Sequence, residues 1–173
     1  MSNAMPLPLY AIGLGSNRRH VRFGDPRAVL LAALAALESD DIEAVDASPI
    51  IASDPLGPSR RRYANAVALV ASPLSPPEMM ARLQAIENSF GRRTGQRWSA
   101  RTLDLDLLLW SGGIWSDSSL TIPHPAIEQR AFVLGPLRAI VPKWQHPLHG
   151  RSIRQLVARL ARPKPVDRGA AAH

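Results

Sequence analysis

Apolar residues recur along the chain with two periods, one typical of β-strands and the other of α-helices. Short apolar runs and alternating patterns predict strands at 9–14, 42–52, 63–71 and 102–110. Apolar positions spaced by three and four residues predict amphipathic helices over about 26–37 and from 76 to about 90. The elements therefore follow one another in the order βαββαβ.

Capping signals give the expected boundaries of these helices. Asp25 followed by Pro26 is typical of a helix start. Ser75 and Glu78 have the spacing of a capping box ahead of the second helix, and Gly91 is expected to end that helix.

Two further helical segments are predicted near the C-terminus. The pattern over 126–140 indicates partly helical structure that is broken at Pro136. A short final helix is expected over Ile153–Leu160, capped by Ser152.

The order of elements predicts an α+β fold. We expect a ferredoxin-like βαββαβ core, in which an antiparallel sheet has helices on one face, with additional C-terminal helices. Residues 5–162 are expected to form a single domain. Residues 1–4 are interpreted as an expression scar, and residues 163–173 are expected to be a disordered tail.

Composition narrows the class of protein. The chain has 173 residues, of which 46% are hydrophobic and 20% charged, as expected for one compact domain. It contains no cysteine, so any bound cation must rely on carboxylate, imidazole or backbone oxygen ligands. No apolar run reaches the roughly 20 residues that span a bilayer. We therefore expect a cytoplasmic monomer with no membrane partner.

The charge distribution points to an anionic ligand. The formal net charge is +7, which by itself fits nucleic acid or a nucleotide. Four arginines occupy one short segment directly ahead of an acidic strand: Arg92, Arg93, Arg97 and Arg101. Guanidinium groups bind phosphate oxygens bidentately and neutralise the charge that develops on a leaving group.

The acidic strand contains Asp104 and Asp106, two residues apart. On a strand both carboxylates point to one face, roughly 7 Å apart, while the intervening leucines face the core. Such oxygen ligands suit two Mg²⁺ ions, with phosphate oxygens completing the octahedra. Alternatively, the aspartates belong to an edge strand and face water. The neighbouring arginines favour a metal-bound polyphosphate.

Other candidate residues have both functional and structural interpretations. His124, between two prolines, can bond a phosphate or act as an acid, or it is an ordinary turn histidine. Tyr63, Trp98 and Phe132 can stack on a flat heterocycle or pack in the core. Asn65 lies in an apolar strand and needs hydrogen-bond partners if buried, which the edge of a heteroaromatic ring would supply.

Two function classes remain on these residues alone. The chain contains neither GxxxxGK[ST] nor a complete GxGxxG, which excludes a P-loop kinase. The first class is a magnesium-dependent phosphoryl or nucleotidyl transferase with an unknown acceptor. The second is a basic RNA-binding module, which the net charge favours but which lacks the aromatic strand motif of base stacking. We expect small-molecule substrates and no nucleic acid.

Several motifs are similar to those of the 6-hydroxymethyl-7,8-dihydropterin pyrophosphokinase family. The longest is RWSARTLDLDL at 97–107, and the resemblance extends over about residues 9–142. Shorter matching motifs are AIGLGSN at 11–17, PLGP at 55–58, YANA at 63–66, QAIE at 84–87, PHP at 123–125, RAF at 130–132 and PL at 136–137.

The resemblance implies an ATP-dependent pyrophosphokinase of folate biosynthesis that forms AMP and a pterin diphosphate. It implies that Asp104 and Asp106 bind two Mg²⁺ ions. The residues that it places around the pterin are Ser53, Leu56, Tyr63, Asn65, Trp98 and Phe132. Those that it places at ATP are Gln84, Glu87, Arg92, Arg101, Leu107, His124 and Arg130. The catalytic residues that it implies are Arg92, Arg93, Arg101 and His124.

The sequence departs from the family pattern mainly in loops. The first loop, 18–23, is longer and more basic than expected, and the arginine loop after Gly91 is one residue shorter. Ser53 and Asp54 stand where threonine and proline are common, and Ala100 stands where proline is common. The alternative function is therefore a diverged paralogue that binds ATP or pterin with little activity, or that acts on another acceptor.

Overall fold

The structure is a computed structural model that describes residues 6–54, 62–91 and 102–162. The strands in this part of the chain are β1 (Leu9–Ser16), β2 (Glu43–Ala47), β3 (Ile51–Ser53), β4 (Tyr63–Ala71), β5 (Asp104–Trp110), β6 (Trp115–Ser116) and β7 (Thr121–Ile122). The helices are α1 (Pro26–Leu37), α2 (Pro76–Ser89), α3 (Ala131–Ile140) and α4 (Ile153–Leu160), with a 3₁₀ helix at Ile127–Gln129.

One antiparallel sheet organises the described residues. Its strands lie in the order β2-β4-β1-β5, with β3 pairing with β4 as well. Since β2 pairs with residues 68–71 and β3 with residues 63–65, the two short strands share one edge of the sheet. Taken together as one strand, they complete the ferredoxin-like βαββαβ core that the sequence predicts. This part of the prediction is confirmed.

The edge strand is interrupted where the sequence predicts a single strand over 42–52. Ser48 donates its backbone N–H to the Val67 carbonyl, and its hydroxyl accepts from the Val67 N–H. The side chain thus replaces part of the backbone ladder, and the following Pro49 has no N–H to continue it. Pairing resumes only at Ile51.

The first hydrophobic core lies between the sheet and helices α1 and α2. Ile12 and Leu107 from the sheet meet Leu30 from α1 and Leu83 from α2, and each is at most 1% exposed. The helix boundaries follow from the caps. Asp25 accepts from the Ala28 N–H at 2.9 Å, and α2 begins with the predicted capping box. These helix predictions are confirmed.

A second core lies on the opposite face of the sheet. Ala11 and Val67 pack there against Leu134 and Leu137 of α3 and Leu156 of α4. The core helices α1 and α2 therefore share one face of the sheet, as expected, and the additional C-terminal helices cover part of the other face, to which the sequence assigned no helix. Burial from both sides explains why β4 is apolar at nearly every position rather than alternating.

Helix α3 also differs from its prediction, because it continues through Pro136 to Ile140. Proline cannot donate to the Phe132 carbonyl, so one hydrogen bond of the helix is lost. Burial of Val133, Leu134 and Leu137 against the sheet keeps the helix intact across that gap. Among the described residues, no helix combines the length and apolar character needed to cross a bilayer.

A β-bulge adjusts β5 to the two cores. Ala11 pairs with Leu109 and Ile12 with Leu107, so Leu108 is an extra residue between them. Leu107 therefore points into the first core, while Leu108 and Leu109 both belong to the second. The bulge allows a strand with three consecutive leucines to bury all of them.

Leu137→Ala removes a side chain of the second core that is 0% exposed, and it leaves a cavity under α3. We expect the free energy of unfolding to fall by about 2–5 kcal/mol in urea denaturation. The matched control Leu148→Ala, at a side chain that is 65% exposed, should change it by less than about 0.5 kcal/mol. Equally small effects of the two substitutions would contradict the packing of α3 on this face.

Candidate active site

The second face of the sheet is open beyond the part that α3 and α4 cover. On β1 this face continues from Ala11 to Gly13 and Gly15, because alternate residues of a strand point to the same side. Gly15 lies opposite Asn65 on β4 and opposite Asp104 on β5. Two neighbouring strands thus present polar side chains across a strip of β1 that has none.

A pocket occupies this open strip. It is lined by residues of all the neighbouring strands and of α3: Gly13, Leu14, Gly15, Ser53, Asp54, Tyr63, Asn65, Ala66, Asp104, Asp106, Leu108, Arg130, Phe132 and Val133. Because Gly13 and Gly15 have no side chains, the bottom of the pocket is formed by the backbone of β1. A Cβ at Gly13 would lie 3.3 Å from a methyl carbon of Leu108, and one at Gly15 would lie 3.6 Å from Oδ1 of Asn65.

Asp104 and Asp106 form the β5 side of the pocket. Leu103, Leu105 and Leu107 are at most 4% exposed, so the predicted alternation of buried leucines and outward aspartates is confirmed. Both carboxylates lie on one face of the strand, opposite Gly15 and Gly13. Carboxylate oxygens in this arrangement are suitable ligands for hard cations such as Mg²⁺.

Glu87 anchors the backbone between the two aspartates. Its Oε1 accepts the Leu105 N–H at 2.7 Å. Because β5 pairs only with β1 in the described sheet, this contact from α2 holds the outer edge of the strand. Glu87 thereby restrains the backbone that carries Asp104 and Asp106.

Arg130 brings a positive charge to the aspartates. Its guanidinium Nη1 lies 3.9 Å from Oδ2 of Asp106, and the two side chains are 36% and 47% exposed. A pair at this distance and exposure contributes little to stability. The guanidinium also lies over the Phe132 ring, with Cζ 5.9 Å from the centroid. Arg130 is therefore placed to exchange its loose contact for a phosphate oxygen.

His124 lies beside this charged pair and is half-buried. Its backbone N–H donates to the Leu108 carbonyl, and its Nδ1 accepts the Ala126 N–H at 3.1 Å. Burial lowers the pKa of His124; the negative charge of Asp106 raises it, and the positive charge of Arg130 lowers it further. A neutral imidazole with its proton on Nε2 results, which can donate one hydrogen bond.

The β4 side of the pocket carries mainly uncharged polar and aromatic side chains, with the carboxylate of Asp54 as the exception. Asn65 is 6% exposed and donates from Nδ2 to the hydroxyl of Ser53 at 2.7 Å. Tyr63 pairs with Ser53 across β3 and β4 and lies on the same face as Asn65. With Phe132 from α3, these side chains combine ring surfaces with oriented hydrogen-bonding groups. Such a mixture suits a flat heteroaromatic ligand.

The structure brings seven of the predicted site residues into the pocket lining: Ser53, Tyr63, Asn65, Asp104, Asp106, Arg130 and Phe132. Gln84 is exposed on α2, one turn before Glu87. Leu107 is 1% exposed in the first core and does not line the described pocket. Five other predictions lie outside the described residues: Leu56, Arg92, Arg93, Trp98 and Arg101.

Sequence reasoning missed several residues of the pocket. The predicted first strand ends at residue 14 and gives Gly13 and Gly15 no function, whereas both belong to β1 and line the pocket. Their spacing of two within an apolar strand is the signal that indicates a face without side chains. Asp54 and Val133 also line the pocket, and nothing in their local sequence distinguishes them.

The fold and the site together indicate a class of protein. A ferredoxin-like domain carries a carboxylate pair and a guanidinium on one side of a pocket, with the imidazole of His124 next to them, and an oriented amide and aromatic rings on the other side. This set is typical of a metal-dependent phosphotransferase that holds a polyphosphate beside a heterocyclic acceptor.

Comparison with known proteins identifies the family. Residues 11–142 match the family described as 7,8-dihydro-6-hydroxymethylpterin-pyrophosphokinase (HPPK). The chain belongs to this family, whose members are ATP-dependent diphosphotransferases.

Curated relatives of the chain support the same family. The chain is 40% identical over 149 residues to the 2-amino-4-hydroxy-6-hydroxymethyldihydropteridine pyrophosphokinase of Pseudomonas aeruginosa, covering 85% of this chain and 88% of that one. It is 39% identical over 146 residues to the Synechocystis sp. protein of the same name, covering 84% and 73%. The Bacillus subtilis protein of that name is 35% identical over 131 residues, with 75% of each chain covered.

Solved structures resemble the fold. A crystal structure of HPPK-DHPS in complex with substrates superposes with a TM-score of 0.70 at 12% identity, covering 90% of this chain and 43% of that one. Plasmodium falciparum HPPK-DHPS A437G with STZ-DHP gives a TM-score of 0.67 at 14% identity, covering 91% and 46%. This chain spans less than half of those longer chains, and at these identities the likeness concerns the fold alone.

The electrostatic contacts of His124 predict opposite effects of two substitutions in the metal-free protein. Arg130→Met removes a positive charge, so the pKa of His124 should rise, whereas Asp106→Asn removes a negative charge, so it should fall. Proton NMR titration of the His124 ring measures both, with His20 as the reference histidine. A pKa that is the same in both variants and in the unaltered protein would contradict the placement of His124.

Proposed function

We propose that this pocket transfers the pyrophosphoryl group of ATP to the hydroxymethyl oxygen of 6-hydroxymethyl-7,8-dihydropterin. That oxygen forms a bond to the β-phosphorus as the bond from the β-phosphorus to the α,β-bridging oxygen breaks. AMP leaves with the bridging oxygen, and the hydroxyl proton is released. The observation that supports this assignment is that Asp104 and Asn65 lie on opposite sides of Gly15, one facing each half of the same pocket.

Asp104 and Asp106 are the residues proposed to hold two Mg²⁺ ions. Their hard oxygen donors and shared face fit such ions, and bound Mg²⁺ would neutralise and orient the polyphosphate. Glu87 contributes indirectly, since its contact with the Leu105 N–H fixes the backbone on which both aspartates lie. We infer that this part of the pocket binds the triphosphate of ATP.

Arg130 and His124 are proposed to act on the phosphate oxygens. A guanidinium that is only loosely paired with Asp106 can bind a phosphate oxygen without losing a strong interaction. Neutral His124 can donate its Nε2 proton in a hydrogen bond to the same group. Because the reaction needs no covalent enzyme intermediate, positioning and charge neutralisation supply most of the catalysis.

Asn65, Ser53, Tyr63 and Phe132 are proposed to surround the pterin. The hydrogen bond between Asn65 and Ser53 orients the amide before substrate arrives, which lowers the entropy lost on binding. Arg92, Arg93, Arg101, Trp98, Leu56 and Gln84 keep the roles that the family resemblance implies. We further propose a cytoplasmic monomer that acts on small molecules and not on nucleic acid, with one domain over residues 5–162. The tail predicted at 163–173 lies outside the described residues.

The direct test is release of AMP from ATP and Mg²⁺, measured by chromatography with and without 6-hydroxymethyl-7,8-dihydropterin. We expect AMP only when the pterin is present. Asp104→Ala and Asp106→Ala should each lower the rate at least about 100-fold, because each removes a metal ligand worth several kcal/mol in the transition state.

The matched control is Asp40→Ala, at an exposed aspartate in the turn after α1, which should keep full activity. Circular dichroism should show that all three variants are folded. Near-normal turnover in Asp106→Ala would contradict the metal assignment. Folded, unaltered protein that forms no AMP would instead support a diverged paralogue that binds ATP or pterin.

Asn65→Leu tests the pterin side separately. The substitution keeps the approximate shape of the side chain but removes its hydrogen bonds, so the KM for the pterin should rise about 10–100-fold. The affinity for ATP should stay unchanged, since the triphosphate is assigned to the β5 side. Steady-state kinetics with each substrate varied in turn measure both values. An equal loss for the two substrates would contradict this division of the pocket.

A further inference from the structure

A second cluster of metal-ligating side chains lies away from the pocket. Glu128, His146 and His149 bring one ligand atom each to within 4.8 Å of the others. Glu128 is the middle residue of the 3₁₀ helix, whereas both histidines lie in the connection between α3 and α4. The cluster therefore joins two segments that are distant in sequence.

The turn that holds the histidines is tightly constrained. The His146 carbonyl accepts the N–H groups of His149 and Gly150, at 3.3 and 2.8 Å, and the His146 N–H donates to the Arg151 carbonyl at 2.8 Å. Gly150 has a φ of +71°, in the left-handed region that favours glycine. As a result the two imidazole rings stack in parallel, with centroids 4.2 Å apart and planes 8° from each other.

His146 is the unusual member of the cluster. It is 3% exposed, and its Nδ1 has no hydrogen-bond partner within the described part of the chain. Its Nε2 lies 3.9 Å from Oε1 of Glu128, which is too long for a hydrogen bond. Nε2 therefore faces the Glu128 carboxylate without a hydrogen bond to it, at a separation that an ion bound by both atoms would bridge.

Burial lowers the pKa of His146. The pKa of Glu128 is lowered by the hydrogen bond from His149 and, to a smaller extent, by the positive charges of His149, His146 and Arg159. Neutral imidazoles and an ionised carboxylate are the forms in which these side chains bind metal ions. The directions of these two shifts favour the metal-binding forms of His146 and Glu128.

We propose that Glu128, His146 and His149 form a binding site for a borderline divalent metal ion of the Zn²⁺ class. Two imidazole nitrogens and one carboxylate oxygen match the preference of zinc, whereas the all-oxygen pair Asp104 and Asp106 matches that of magnesium. Three protein ligands leave a fourth tetrahedral position for water. The site is distinct from the pocket in both ligand chemistry and location.

The separations of the ligand atoms need small changes to accept the ion, and the two parallel rings must also turn out of their stack so that both ring nitrogens point at it. Ligand atoms about 2.1 Å from a tetrahedral zinc lie roughly 3.4 Å from one another. Oε1 of Glu128 is now 2.8 Å from Nε2 of His149 and 3.9 Å from Nε2 of His146. One separation must lengthen and the other shorten by about 0.5 Å, which side-chain rotation can supply.

Binding also requires a change of tautomer at His149. Its Nδ1 accepts the Arg151 N–H at 3.2 Å, so in this arrangement the ring proton is on Nε2 and points to Glu128. When a metal ion binds at Nε2, that proton must move to Nδ1. The backbone N–H of Arg151 then loses its acceptor and must donate its hydrogen bond to water instead. Arg151 is exposed, so water can replace the lost contact.

The test is isothermal titration of the full chain with ZnCl₂ in buffer that contains millimolar Mg²⁺, which keeps the hard-oxygen ligands occupied. We expect one zinc ion per chain. His149→Gln and Glu128→Gln should each weaken binding about 10-fold or more, since each removes one ligand. His20→Gln, the same change at a histidine outside the cluster, and Asp106→Asn should leave the affinity unchanged.

Circular dichroism distinguishes loss of the site from loss of the fold, and the partly exposed His149 and Glu128 are used because buried His146 also contributes to packing. Absence of zinc binding in the folded, unaltered protein would overturn the proposal. Binding that persists in both cluster variants, or that disappears in Asp106→Asn, would overturn it as well, because the ion would then lie elsewhere.

Discussion

The structure depends on an antiparallel sheet whose central strands β1, β4 and β5 are buried along one face and only along part of the other. Helices α1 and α2 close the first face, whereas α3 and α4 bury Ala11 and Val67 on the second and stop there. On the part of this face that α3 and α4 do not cover, large apolar side chains on β1 would be exposed to water. Gly13 and Gly15 occupy this part of β1, so the uncovered surface becomes a depression that can receive a ligand.

The same constraint separates the two kinds of chemistry in the pocket. Because β4 and β5 flank β1, their outward side chains meet across the glycines without contacting one another directly. Asp104 and Asp106 lie near Arg130 on the β5 side, whereas the side chains around Asn65 on the β4 side are uncharged apart from Asp54. A polyphosphate and a heterocycle can therefore lie side by side, as transfer between them requires.

The segment that follows β7, residues 124–130, contacts the pocket, the second core and the histidine cluster. Arg130 lines the charged side of the pocket and His124 lies next to it, while the 3₁₀ helix between them contributes Ile127 to the second core and Glu128 to the histidine cluster. This short stretch is held by contacts on both sides, since His124 donates to the Leu108 carbonyl and Glu128 contacts His149. These contacts position His124 and Arg130 relative to Asp106.

The sequence by itself determined the order of elements, the helix caps and the alternation of leucines and aspartates on β5, because all of these depend on spacing within a few residues. It also indicated the family, through motifs that span most of the chain. Only the tertiary structure decided that α3 and α4 cover the second face, that Leu107 and Leu108 belong to different cores, and that Glu87 holds the backbone of Leu105. These features depend on packing between segments far apart in sequence, for which local patterns contain no signal.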